Sequence, residues 1–339
     1  MERWKQLGAF IGKHMAYFVP LCVATGVLLP GVFGPLKAIV PFIFAIMTFQ
    51  GSLSNTFRQL VEVFRHPLKL LAILLIAEVF MPVLAYLLGM VFFGSNPNLV
   101  AGIVLEYSVP IAVISFMWVG IYEGDGPLCL ASILVSTVIS PVTIPLTLSV
   151  LLGASIHIDA MGMMTDMLFM IALPALAGIV VDELTHGWGR ETLSPALSPA
   201  SRFITIILIT ANSTSMSEYV LHMNLQRLEV ALFILVFATS GFFWGLLAGR
   251  LMHGSQPLLA TSSFCCGLRN ISSGAVIAAQ YFPGEAVFPV MCGTLFQQIL
   301  AATFGHVIEH LCAEDTEERE RKVSVAKRLL RTKDQRQNG

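Results

Sequence analysis

Charge is scarce in this chain. Asp, Glu, Lys and Arg make up 12% of its 339 residues and hydrophobic residues 55%, and a charged share about half that of a soluble domain excludes an ordinary water-facing surface. Neither sign is in excess, with 20 basic and 21 acidic residues, so nothing draws the chain toward nucleic acid. Cysteine is sparse. Cys22, Cys129, Cys265, Cys266, Cys292 and Cys312 lie mostly inside apolar runs with no CxxC pairing, which argues against a zinc site and a disulfide framework. HExxH, GxSxG and GxxxxGK[ST] do not occur, so metalloprotease, serine-hydrolase and P-loop chemistry lack their motifs. Gly124-Asp125-Gly126 has a distant likeness to an intramembrane aspartyl protease, but no second aspartate is suitably placed. The expectation is a protein that is not an enzyme and has neither cofactor nor resident metal. No small-residue cleavage site follows Met1-Glu2-Arg3-Trp4-Lys5, and no removable signal peptide is expected.

What the chain has in quantity is long apolar runs. Backbone groups in hydrocarbon must be satisfied within a helix, and a span needs roughly 20 residues. The runs predict an all-α polytopic membrane protein of ten spans, at 15–32, 35–50, 67–93, 98–122, 126–152, 158–183, 200–215, 227–251, 257–281 and 285–311. With the N-terminus inside, Arg3, Lys5, Lys13, Arg58, Arg65, Lys69, Arg190, Arg202 and Arg250 fall on or near cytoplasmic segments, as does the basic tail. The positive-inside rule then puts both termini in the cytoplasm, and the plasma membrane is the expected location. The chain divides into a cytoplasmic segment (1–14), two five-span halves (15–153 and 154–311) and the tail (312–339).

The halves echo one another. A shift of 159 residues brings Pro82 onto Gly241, Leu87-Leu88-Gly89 onto Leu246-Leu247-Ala248, Pro110 onto Arg269 and Tyr122 onto Tyr281. Five spans separate each pair, so the repeats are inverted, an arrangement common in secondary transporters. Both aligned points are unfit for continuous helix, with Pro110 at one and Gly267 with Asn270 at the other. The sequence predicts unwound stretches at 108–115 and 264–274, and broken backbone at that depth must line a cavity or bind a ligand.

At these breaks the chain resembles the bile acid:sodium symporter family. The likeness rests on Pro110 to Ser115 followed by "EGD" (Glu123 to Asp125), on "VSTVISPVTIPL" (Val135 to Leu146) and on "GLRNISSGAVIAAQYFP" (Gly267 to Pro283), which is similar to the family's "GMQNSGLA" segment. It implies a core of spans three to five and eight to ten, a panel of the other four, two crossed broken helices and alternating access. It also implies oxygen ligands for sodium: a glutamate where this chain has Cys265, a glutamine at Arg269, an asparagine at Phe116, hydroxyls at Cys129 and Ile133, and a glutamine at Ala77. Only Ser115 keeps an oxygen side chain, and thiols and alkyl groups cannot replace oxygen around a hard cation. The expectation is that the chain does not use the family's usual sodium sites.

Arg269 brings a permanent cation to this place, and an intramembrane charge needs a partner or a wet cavity. Arg269 is expected to pair with Glu106 or Glu78, with Asp166 a third carboxylate inside the spans. A carboxylate kept from water exchanges protons nearer neutrality, so coupling to protons instead of sodium is expected to run through Glu106 or Glu78. The expected substrate contacts are Arg269, Asn270, Ser115, Ser272, Ser273 and Gln298, with the positive ends of two half-helices beside them. A structural ion pair at Arg269 and helix-to-helix hydrogen bonds from the serines and glutamines are the competing readings. The function expected is secondary transport of a small organic anion, bile-acid-like or a carboxylate or sulfonate, with the bilayer as its other partner. The alternatives are a metalloid or thiol-conjugate efflux carrier, suggested by Cys265-Cys266, and a sensor that transports nothing.

Overall fold

A carbonyl or amide in hydrocarbon can bond only to its own helix, and the apolar runs are helical accordingly. The computed structural model describes residues 6, 10–11, 15–54, 56, 67–153, 159–222, 224–252 and 254–337, with backbone alone at 15–16, 19 and from 312 onward. In chain order the helices are α1 (Met15–Leu28), α2 (Pro30–Ser52), α3 (Pro67–Phe93), α4 (Pro97–Ser108), α5 (Ser115–Ile121), α6 (Gly126–Leu152), α7 (Ala160–Leu184), α8 (Gly189–Leu221), α9 (Leu225–Leu251), α10 (Gln256–Gly267), α11 (Ile271–Tyr281) and α12 (Gly284–Gln337). Among the described residues there is no strand, and seven helices are long and apolar enough to cross a membrane: α2, α3, α6, α7, α8, α9 and α12 as far as Leu311.

Their two faces explain the packing. On α3, Leu70, Ile73, Ala77 and Met81 are buried, while Leu68, Leu71, Leu75 and Val79 are more than half exposed or close to it. Both sets recur at helical spacing, so one apolar face packs on protein and the other is left for lipid. On α9, Gly241, Gly245 and Gly249 form a small-residue stripe against α10, where a Cβ on Gly245 would overlap the carbonyl of Ser262. Such stripes let backbones approach where no hydrophobic force drives helices together. Helices α1, α2, α7 and α8 pack chiefly on one another, and α3, α4, α6, α9, α10 and α12 form a second group.

Several expected boundaries move. The span placed at 200–215 is α8, which begins eleven residues earlier, at Gly189, and ends at Leu221. Its first half is rich in serine and holds Arg202, a pattern that masked a helix whose polar face meets a cavity. The span placed at 35–50 extends to Pro30–Ser52, and the first ends at Leu28. The unwinding placed at 264–274 is confined to residues 268–270, since α10 stays helical through Gly267. A Cβ at Gly267 would overlap the ring of Phe242, so that glycine serves close packing at the last residue of the helix.

Candidate functional site

Two helices stop and restart. Helix α4 ends at Ser108, Val109 is extended, and the chain becomes helical again at Ser115. Helix α10 ends at Gly267, Leu268 is extended, and Asn270 caps α11 by accepting from the Ser273 amide at 3.2 Å. The two irregular stretches meet: Ile111 and Arg269 form an isolated antiparallel bridge, the Ala112 amide donates to the Leu268 carbonyl at 3.1 Å, and the Asn270 amide donates to the Pro110 carbonyl at 2.8 Å. Each break thus satisfies the backbone groups the other frees. Pro110 suits its position because it has no amide to leave unpaired.

Arg269 lies at this crossing, 2% exposed. Its Nη2 donates to the Ala77 carbonyl at 2.8 Å and to that of Cys266 at 3.5 Å, and its Nη1 donates to the Val109 carbonyl at 3.5 Å. Ala77 belongs to a π-helical turn, Ile76–Phe80, and such turns release carbonyls from the regular ladder. The carboxylate of Glu78, in the same turn, is 3.9 Å from Nη1. Ser136 Oγ donates to Glu78 Oε1 at 2.6 Å and accepts from the Ile111 amide at 2.9 Å, tying the ion pair to the α4–α5 break.

Glu106, wholly buried on α4, lies within electrostatic reach of Arg269 but is not bonded to it. It packs on Gly293 of α12, where a Cβ would overlap its Oε1. Arg269 Nε, Glu78 Oε2 and Glu106 Oε2 are buried without a hydrogen-bond partner. Asp166 is elsewhere, taking hydrogen bonds from Gln280 and the Tyr281 hydroxyl.

A cavity of about 490 Å³ opens between the two helix groups, lined by Arg269, Asn270, Ser272, Gln297 and Gln298 on one side and by residues of α2 and α8 on the other. Of the expected substrate contacts, Ser115 and Ser273 are outside this wall: Ser115 Oγ bonds the Phe264 carbonyl at 3.4 Å, and Ser273 is 1% exposed. Gln298 accepts from Trp118 Nε1 at 3.1 Å, and its neighbour Gln297 donates to the Arg269 carbonyl at 3.1 Å. Sequence reasoning missed the contribution of α8, whose Ser198, Ser201, Arg202, Thr205 and Asn212 line the cavity. Their spacing of three, one, three and seven puts them on one helical face, a signal present in the sequence once the segment is read as helix.

Cys265 and Cys129 meet, Sγ to Sγ at 3.6 Å, both buried and neither on the cavity wall. Asp125, between Gly124 and Gly126, caps α6 by accepting from the Leu128 amide at 3.1 Å. Met163, Met167 and Met170 are core packing residues.

The model of the sodium bile acid symporter family matches residues 40–223. The Bacillus subtilis protein "Uncharacterized protein YbaS" is 36% identical over 294 residues, covering 87% of this chain and 96% of that one. An Arabidopsis thaliana protein named "Probable sodium/metabolite cotransporter BASS1, chloroplastic" is 24% identical over 299 residues, 86% of this chain and 73% of its own. A second Bacillus subtilis relative, "Uncharacterized sodium-dependent transporter YocS", is 20% identical over 290 residues, 85% and 88% of the two chains.

Proposed function

The chain belongs to the sodium bile acid symporter family, and on that premise we propose that it is a secondary carrier of a small organic anion that works by alternating access. The observation that carries the reading is the buried Arg269 at the meeting point of two broken helices, next to a cavity lined by Asn270 and Ser272 at the start of α11. Helix starts present amides and a positive end, so the cargo's acidic group sits well there.

The ten-span inverted repeat draws support from the helix bounds. The 159-residue shift carries Pro97–Ser108 onto Gln256–Gly267, Pro67–Phe93 to within one residue of Leu225–Leu251, and Gly126–Leu152 to within one residue of the start of Gly284–Leu311. The two helix groups correspond to a core and a panel moving past each other, and the basic residues favour cytoplasmic termini in the plasma membrane.

Two relatives carry names that couple transport to sodium; in this chain the coupling differs. At the positions where the resemblance puts sodium ligands, the free thiols of Cys129 and Cys265 face each other, and Arg269 fills the space with a fixed cation. Around that guanidinium stand two carboxylates, Glu78 and Glu106. One cation and two carboxylates are neutral when a single proton is added, which makes the cluster a proton site, with the proton exchanged as the core changes access. The thiol pair favours no metalloid cargo, since neither cysteine is among the described residues of the cavity wall.

Uptake by proteoliposomes tests the reading. Organic anions should accumulate under an imposed pH gradient with choline replacing sodium. Accumulation only under a sodium gradient would refute the coupling, and no anion flux under either gradient would refute the carrier.

A further inference from the structure

Among the described residues, the cavity's two charged lining residues, Arg269 and Arg202, are both cationic, and no carboxylate, lysine or histidine shares the wall. They differ in what they already hold. Three of Arg269's contacts are to backbone carbonyls and a fourth is to Glu78, so its charge is balanced from within. Arg202 has neither hydrogen bond nor ion pair among the described residues, and it is half-buried at the cavity wall. Nor is it a cytoplasmic anchor at a helix end: thirteen residues separate it from the start of α8 at Gly189, roughly 20 Å of helix.

A guanidinium without a partner, half-buried at a cavity wall, has its donors free for an anion, and its planar fork suits carboxylate and sulfonate oxygens. A second unmet group lies on the same helical face. Asn212, 2% exposed and on the cavity wall, has its Oδ1 buried with no hydrogen-bond partner. It stands ten residues beyond Arg202, about 15 Å along α8.

We propose that Arg202 is the anion anchor of the carrier, binding the acidic group of the cargo from the α8 side of the cavity, while Asn212 takes a hydrogen bond from the cargo's uncharged part. This rests on the reading of the protein as an organic-anion carrier and adds the residue that makes it select anions. A cargo held by Arg202 on one helix group and by the Asn270–Ser272 helix start on the other bridges the parts that alternating access moves apart.

The test is uptake by wild type, Arg202→Gln and Arg202→Lys in proteoliposomes, with cholate, lactate and ethanesulfonate as probes, each beside its neutral amide. Loss of a charge-assisted hydrogen bond to a ligand corresponds to about 10- to 100-fold in affinity. Arg202→Gln should raise KM for the transported anion by about that factor with Vmax held, the pattern of lost uniform binding. Arg202→Lys should recover part of the loss, and the neutral amide should be indifferent to both changes. If Arg202→Gln does not fold, the Lys variant against wild type still decides, because a lost guanidinium fork must weaken the anion and spare the amide. Equal KM in wild type and variants, or equal losses for anion and amide, would overturn the assignment of Arg202. Wild type that carries none of the anions instead overturns the carrier reading beneath it.

Discussion

Replacing Arg269 by Gln, with and without Glu78→Gln, probes the crossing most fully. The single change removes the guanidinium that bonds Ala77, Val109 and Cys266 carbonyls and stands 3.9 Å from the Glu78 carboxylate. Breaking a buried pair by removing one partner costs about 3–5 kcal/mol, because the remaining charge is left uncompensated. The Ala77 bond, at 2.8 Å the shortest of the set, adds about 1 kcal/mol where the shorter amide cannot reach it. These contributions overlap, so about 4 kcal/mol is the expected total. Glu78→Gln in the Arg269→Gln background removes the stranded carboxylate while Ser136 keeps a partner, and it should return about 2 kcal/mol or more. Unfolding titrations of wild type, Arg269→Gln, Glu78→Gln alone and the double variant in mixed detergent micelles give the four corners of the cycle. Single losses that simply add in the double variant would show that the two side chains are not coupled, and the account of the crossing as a charge-balanced unit would fail.

Other substitutions test the surrounding parts. Gly293→Ala places a Cβ on Glu106 Oε1 and the Ile271 side chain, and should cost about 1–3 kcal/mol together with most uptake; normal stability with normal flux would show that the Glu106 carboxylate is free to move. Ser136→Ala strands the Ile111 amide and takes the Glu78 carboxylate's donor, a loss of about 1–3 kcal/mol in the same titration. Asn270→Ala deletes the cap of α11, worth about 0.5–2 kcal/mol, and should weaken anion uptake more than Asn270→Ser does. Gly245→Ala forces α9 away from the Ser262 backbone and should destabilise by about 1–3 kcal/mol, whereas Gly31→Ala, with open space around its Cβ position, should be neutral.

Much of this architecture can be read from the chain because lipid makes the rules strict. Long uncharged runs have to be helices, and α3 and α6 coincide with their expected bounds at 67–93 and 126–152. Proline at 110 and the run Gly267–Asn270 marked the breaks for the same reason, since neither suits unbroken helix. The extent of the second break was overestimated because Gly267 read as part of the unwound stretch, whereas it is the last residue of α10, packed on the Phe242 ring. Glu78 was one of two candidate partners for Arg269, and the choice depended on a π turn that turns Ala77 and Glu78 toward α10, which composition does not encode. The α8 wall was lost for the opposite reason. Serine and arginine lowered its hydropathy, so a polar face directed at a cavity read as the edge of a span, and Arg202 as a topology marker.

The central claim is that a covalently fixed cation holds the place where a mobile one would sit. Equilibrium binding of sodium-22 to the purified protein, with choline as counter-salt and unlabelled sodium as competitor, addresses it directly. The account predicts no saturable binding to the wild-type chain with or without the transported anion. A saturable site that unlabelled sodium displaces, with the anion tightening it, would contradict the account.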